Sequence, residues 1–351
     1  MKISRLLAVV LVVAIVPGCD RTEDNDAVSG TGSTFVLNNG KWGDNNANIG
    51  IYDPQTRTFV PDAFLSQNGL MLGDLAQDIM RVEDEVYIAV NGSRTVFVTD
   101  NSLKIKRQLN AESGGNRLSP RYMTSGGGKV YVTYYEGYLG EIDPSRDYSI
   151  RVTKVGRSPE GLAYSDGHIY VANSGGADYP DYDRTVSVVD AASFCEVSKI
   201  DVNVNPELVF ADKSGRYVFV SSIGDYAGNP AMLQRIDLND GSVADLDYNI
   251  SKMHYNPDTD MLYILAGEYD SSWNLNGKIY LHNVATDNAE GEFIKDGTTI
   301  PNAYSISAAA DGYVYVGTSD YISTGDMYVF KPDGTLHDRF DTNGLNPIKA
   351  L

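Results

Sequence analysis

Seven times between Ile49 and Lys331 the chain repeats one short run in which apolar residues alternate with others and which usually closes on Asp. The copies are Ile49–Asp53, Val96–Asp100, Tyr138–Asp143, Val186–Asp190, Leu233–Asp237, Ile279–Asn283 and Met327–Lys331, with ends spaced by 47, 43, 47, 47, 46 and 48 residues. Alternation of this kind marks a strand, and the spacing is that of a propeller blade. A second run keeps the same count. Tyr followed by an aliphatic residue stands at Tyr87-Ile88, Tyr131-Val132, Tyr170-Val171, Tyr217-Val218, Tyr263-Ile264 and Tyr315-Val316, and Phe35-Val36 takes the remaining place.

The stretch from Pro159 to Val202 holds one complete unit, with four runs of period two: Gly161–Ser165, His168–Asn173, Thr185–Asp190 and Glu196–Val202. Asp166-Gly167 joins the first two as a tight hairpin turn, where glycine takes the positive φ that a twisted hairpin demands. Ala191 to Phe194 is another short turn. Ser174 to Arg184 is long and carries Tyr179, Tyr182 and three aspartates. Such a four-stranded antiparallel sheet cannot bury both faces alone. The predicted fold is therefore all-β, a seven-bladed β-propeller of four-stranded antiparallel blades. Innermost strands are expected to begin near Gln77, Pro120, Pro159, Pro206, Ser251 and Pro301, which leaves the Phe35 blade without one. Asn346-Pro347-Ile348-Lys349-Ala350-Leu351 supplies it, so pairing of the N- and C-terminal strands closes the ring and removes free sheet edges.

Residues 1–18 read as a secretory signal: Lys2 and Arg5 precede an apolar run, Leu6–Val16, that ends in Pro17-Gly18 before Cys19. A small residue directly before cysteine at this place looks like a lipoprotein box, making Cys19 the lipidated first residue of the mature chain. The acidic run Asp20 to Asp26 cannot pack, so residues 19–33 are expected to form a solvated tether and residues 34–351 the propeller. Loss of the signal leaves 26 basic against 47 acidic residues, a net charge near −21. Phosphate binding needs a basic surface, so nucleic acid is a poor partner. With Cys19 committed to lipid, only Cys195 remains; no intramolecular disulfide is open to it, and it is expected to be a packed thiol in an outer turn.

In a propeller, the loops joining second to third strands gather on one face with the loops that enter each innermost strand. The first set contains Trp42 with Asn38, Asn39, Asn45 and Asn46, then Tyr134 and Tyr135, Tyr179 and Tyr182, Tyr226, Tyr269 and Trp273, and Tyr321. Exposed aromatics with amide neighbours can stack a wide, ring-shaped ligand and hydrogen-bond its edges. The strand entrances add Gln77, Asp78, Arg121, Tyr122, Glu160, Glu207, His254, Asn302 and Tyr304. Signs of catalysis are weak: the four histidines are isolated, and no HExxH, paired cysteine or GxSxG elbow occurs. Asp178, Asp181 and Asp183 could offer oxygens to Ca²⁺, although acidic loops are more often simply solvated.

The runs Phe35-Val36-Leu37-Asn38-Asn39-Gly40, Gly73-Asp74-Leu75-Ala76-Gln77-Asp78, Pro120-Arg121-Tyr122, Pro159-Glu160-Gly161 and Tyr170-Val171-Ala172-Asn173-Ser174-Gly175-Gly176 resemble the YncE-like seven-bladed surface lipoproteins of Bacteroides-type bacteria. That family includes cobalamin-capturing lipoproteins of the BtuG type, and the resemblance spans the whole mature domain. It implies a non-enzymatic lipoprotein of the outer membrane, facing the cell exterior. Such a protein binds cobalamin (vitamin B12) or a related corrinoid tightly and passes it to a BtuB-like TonB-dependent transporter. The acidic tether is similar to the export signal of such lipoproteins. No cofactor is implied beyond the transported ligand. A corrinoid is wide, with apolar ring edges and a fringe of amides, and suits a broad rim better than a narrow pocket. A glycan- or nutrient-binding lipoprotein, a metal-dependent propeller lactonase or lyase, and an adhesion protein stay open beside it.

Overall fold

The computed structural model describes residues 32–269 and 275–351. The signal segment, Cys19, most of the acidic tether and Trp273 lie outside the described residues, and Tyr269 is described by its backbone alone. The described residues form seven four-stranded antiparallel sheets. In the blade read most fully from sequence the strands are Pro159–Ser165, His168–Asn173, Thr185–Asp190 and Cys195–Asp201. The other innermost strands are Ala76–Val82, Pro120–Gly126, Pro206–Ala211, Ile250–Asn256, Ala303–Ala308 and Pro347–Ala350. Pro347–Ala350 pairs with Thr34–Asn38, so the first blade is built from both ends of the chain.

Packing explains why Tyr and an aliphatic residue recur side by side. Adjacent residues of a strand point to opposite faces, and in a ring of blades each face meets a different neighbour. Tyr87 packs with Met123, Val130 and Val132 of the following blade, while Ile88 packs with Leu37 and Ile49 of the preceding one. The same division places Tyr131 with Ile169 and Val171 but Val132 with Tyr87, and Tyr315 with Val36 and Tyr52 but Val316 with Tyr263. Each pair thereby ties its blade to both neighbours.

The recurrent Asp at the end of the third strand has a separate cause. Asp53, Asp100, Asp143, Asp190 and Asp237 each accept a hydrogen bond from a backbone N–H two or three residues on: Gln55, Ser102, Ser145, Ser193 and Asn239. Asn283 does the same for Thr286, and in the last blade Asp333 caps Thr335. These are Asx turns, in which a short acceptor side chain replaces a strand partner at the bend. They all lie at the end of the ring opposite the loops that join second to third strands.

Two elements carry no repeat signal and escape sequence reading: the short helix Ala63–Asn68 and the hairpin of Glu112–Ser113 with Asn116–Arg117, each in a connection that enters an innermost strand. Cys195 needs correction. It opens an outermost strand, beyond which no further layer packs, and it is exposed rather than buried.

Candidate ligand-binding site

Antiparallel order sends the connections between second and third strands, and those entering innermost strands, to the same face. One hydrogen bond binds these two sets in every blade. A residue at the end of the second strand donates its N–H to the carbonyl just before the innermost strand: Asn39 to Asn346, Asn91 to Leu75, Tyr135 to Ser119, Ser174 to Ser158, Ile223 to Asn205, Gly267 (within the longer strand Met261–Tyr269) to Asn249 and Ser319 to Asn302, at 2.8–3.2 Å. Leu75, Ser158, Asn205, Asn302 and Asn346 reach the strand through positive φ, between 42° and 60°. Asn tolerates that conformation best among residues with a side chain.

Immediately after this point each innermost strand bulges, because its register against the second strand shifts in all seven blades. A bulge re-aims side chains and is common beside functional sites. The bulged positions include Gln77, Arg121, Tyr122, Glu160, Glu207, Tyr304 and Ile348. Most of them line a central cavity of about 390 Å³, together with Asp78, Lys252, His254 and Lys349.

Three ion pairs balance the charge of this channel mouth. Arg121 holds Glu160 in a fork, Nε to Oε2 at 2.7 Å and Nη2 to Oε1 at 2.8 Å, and its Nη1 donates to Gln77 Oε1 at 3.0 Å. Lys252 meets Glu207 at 2.5 Å, and Lys349 meets Asp78 at 2.6 Å. Burial works against the charge of Arg121 and of Lys252, but Glu160 and Glu207 outweigh it and raise both groups above their ordinary values. Burial also pushes the Glu160 carboxyl up, and Arg121 offsets that only in part. The guanidinium lies 5.3 Å from the Tyr135 ring centroid and 6.0 Å from that of Tyr122, within cation–π range of both rings.

Around the mouth stand the aromatic residues expected at the rim. Trp42, Tyr179, Tyr226 and Tyr321 are 61–71% exposed, one on each of four blades. Tyr182 meets Tyr179 edge to face, and Tyr321 meets Tyr304 in the same way. Leu70, Met71 and Ile322, which sequence reading did not single out, are exposed on the same face. Among the described residues, the other exposed large apolar side chains are Val60, Val197 and Leu336, all on outermost strands.

Several candidates have other work. Tyr134 is not at the rim: it is 1% exposed, ends the second strand of its blade and packs its ring over Gly140. Asp78 borders the cavity but is already engaged, accepting from the backbone N–H of Ile79 and of Met123 as well as from Lys349. Asn38 is buried, with its Nδ2 bonded to Asn48 and to the Thr342 carbonyl, and Asn39 donates to the Ala76 carbonyl. These amides stitch blades together. Asp178, Asp181 and Asp183 surround the Arg157 guanidinium at 2.9, 3.3 and 3.7 Å. One resident cation thus offsets part of their negative charge. Lys252 and Lys349 were missed; both stand two residues after the first residue of an innermost strand, as Asp78 does, and aligning strand starts would have revealed the position.

His254 gives the channel a pH dependence. Burial first, and then the nearby Lys349 ammonium, lower its pKa to about 3. The unfolded chain binds a proton near pH 6.5 and the folded chain does not, so stability is full above that value and falls as pH drops toward 3. Buried His282 is lowered as well and adds in the same direction. The exposed carboxylates Asp225 and Asp320, held at about 2 by turn hydrogen bonds, lose their contribution only below the ordinary Asp range. Between pH 7 and 4.5, His254→Gln is therefore expected to lose about 2 kcal/mol less stability than wild type, at ~1.4 kcal/mol per pH unit of linkage. Urea denaturation at both pH values measures this; parallel losses would refute it.

Fold and site together define a seven-bladed propeller with an aromatic rim around a charge-balanced channel mouth on one face. No protein-family model matches the chain, and no curated protein matches it in sequence. Solved structures match over most of its length. A putative 6-phosphogluconolactonase from Bacteroides fragilis is similar at 11% identity and TM-score 0.59, over 92% of this chain and 98% of that one. The dihydro-heme d1 dehydrogenase NirN matches at 12% identity and TM-score 0.56, over 91% and 74%. The computationally designed protein Ika8 matches at 13% identity and TM-score 0.57, over 87% of each chain. At such identities the likeness is one of fold, and propellers of this shape include enzymes and non-enzymes alike.

Proposed function

We propose that this protein is a surface lipoprotein, anchored through Cys19 to the outer membrane and facing the cell exterior. It captures cobalamin or a related corrinoid on the aromatic face and delivers it to a BtuB-like TonB-dependent transporter. One observation supports the reading above others: Trp42, Tyr179, Tyr226 and Tyr321, on four different blades, all leave most of their surface open on the one face that also holds the channel mouth. A ligand touching several of them lies across the mouth, is broad, and offers apolar edges. Aromatic anchors supply most of the affinity in such contacts, and a closed ring of blades presents them at little ordering cost. The bridged cations and the structurally engaged Asp78 suit binding rather than turnover.

Gel filtration of the protein mixed with cyanocobalamin is the direct test. Red colour is expected to travel with the protein peak; colour wholly in the small-molecule fraction would refute corrinoid capture. Retention on a polysaccharide column would favour a glycan binder instead, and turnover of a sugar-acid lactone would favour an enzyme.

A further inference from the structure

The longest described loop between a second and a third strand, 174–184, is tied down by a side chain from outside it. From Gly176 to Arg184 no residue is buried, so apolar packing does not fix the tip that carries Tyr179 and Tyr182. Arg157, in the connection that enters Pro159–Ser165, supplies the tie. Its Nη1 donates to Asp178 Oδ2 and to the Asp181 carbonyl, both at 2.9 Å, and to Asp181 Oδ2 at 3.3 Å. Its backbone N–H donates to Asp183 Oδ2 at 3.3 Å, and its carbonyl accepts from the Gly175 N–H at 3.0 Å. One residue thus holds the loop at its start, at its tip and on its return. Each tyrosine lies in sequence between two of the held aspartates. Tyr179 is 71% exposed, and the Tyr182 ring meets it edge to face with centroids 5.9 Å apart.

We infer that Arg157 is a positioning residue of the binding face, which acts through Tyr179 and Tyr182 by keeping their loop in the one arrangement that presents both rings to the ligand. The inference rests on corrinoid capture as proposed above. A segment with few buried side chains opens at little cost, and a protein whose competent form is populated for only a fraction of the time binds more weakly by that fraction. Arginine suits the task because its planar fork reaches several acceptors at once, where lysine offers a single ammonium. Exposed ion pairs contribute little to global stability. The effect of Arg157 therefore falls on binding rather than on folding.

The test titrates cyanocobalamin into the full mature protein as wild type, as Arg157→Met, as Tyr179→Ala with Tyr182→Ala, and as the triple variant. Arg157→Met is expected to bind about tenfold more weakly, the loss that follows if the loop is then in place about a tenth of the time, with a melting temperature within about 2 °C of wild type. Where both tyrosines are already gone, the same change is expected to alter affinity by less than about twofold, because the two losses are one. Arg157→Lys is expected to fall between wild type and Arg157→Met. Hydrogen exchange of the free protein adds a readout that needs no ligand: the segment 174–184 is expected to exchange faster in Arg157→Met and the remaining blades at the wild-type rate. Wild-type affinity in Arg157→Met, losses that multiply in the triple variant, or unchanged exchange in 174–184 would each overturn the inference while leaving corrinoid capture standing. Failure of wild type to bind cyanocobalamin would overturn capture, and the exchange comparison would then decide alone whether Arg157 orders the loop.

Discussion

A chain that stops at Leu345 is expected to melt about 10 °C or more below the full-length protein, or not to fold cooperatively at all. The missing segment is a structural strand. Phe35 and Leu351 exchange both backbone hydrogen bonds at 2.9 Å, and Asn39 donates to Asn346 at 3.0 Å. The Asn346 side chain donates to the Gly40 carbonyl at 3.0 Å, Ser305 Oγ donates to the Pro347 carbonyl at 2.7 Å, and the Ala350 N–H donates to Ser307 Oγ. Lys349 answers Asp78. At about 1 kcal/mol net for each hydrogen bond, the loss exceeds ~5 kcal/mol and rivals the whole stability of a domain. In a chain of this size each kilocalorie shifts the melting point by about 2–4 °C. Circular dichroism melts of both chains measure it, and an unchanged midpoint would mean that the ring is not closed by its termini.

Arg121→Met is expected to cost about 3–5 kcal/mol, because it strands Glu160 in the channel wall with neither counter-charge nor donor fork. The Glu160 side chain is 7% exposed and that of Arg121 20%. Removing both charges behaves differently. Arg121→Met with Glu160→Leu is expected to lie within about 1–2 kcal/mol of wild type, since a buried pair roughly repays its own desolvation. Urea unfolding of the two single variants and the double closes the cycle. A single variant that costs less than about 1 kcal/mol would show that water reaches the pair freely.

Fold was legible in the sequence because repetition writes each structural requirement seven times. Tyr-aliphatic pairs mark blades gripped on both faces, and the closing Asp marks a capped turn. Even the split first blade could be read, from Pro347 and its apolar neighbours. The site was legible only in part. Loop position correctly put Trp42, Tyr179, Tyr226 and Tyr321 on one face, but a tyrosine at the end of a strand looks the same as one in a loop, and Tyr134 belongs to the strand. The spacing of Asp178, Asp181 and Asp183 gave no sign of Arg157, which comes from the preceding loop and stands among them. Lys252 and Lys349 enter the channel through bulges, which shift the side-chain alternation by one residue and so defeat a strict period of two.

The most direct measurement is an equilibrium titration of cyanocobalamin into wild type and into a variant with Trp42, Tyr179, Tyr226 and Tyr321 all changed to Ala. Each is exposed, so the melting temperature is expected to stay within about 2 °C of wild type. Saturable one-to-one binding by wild type and a loss of at least about a hundredfold in the variant, roughly 3 kcal/mol shared among the four side chains, are the expected results. Equal affinity of the two proteins, or no binding by either, would contradict capture on this face.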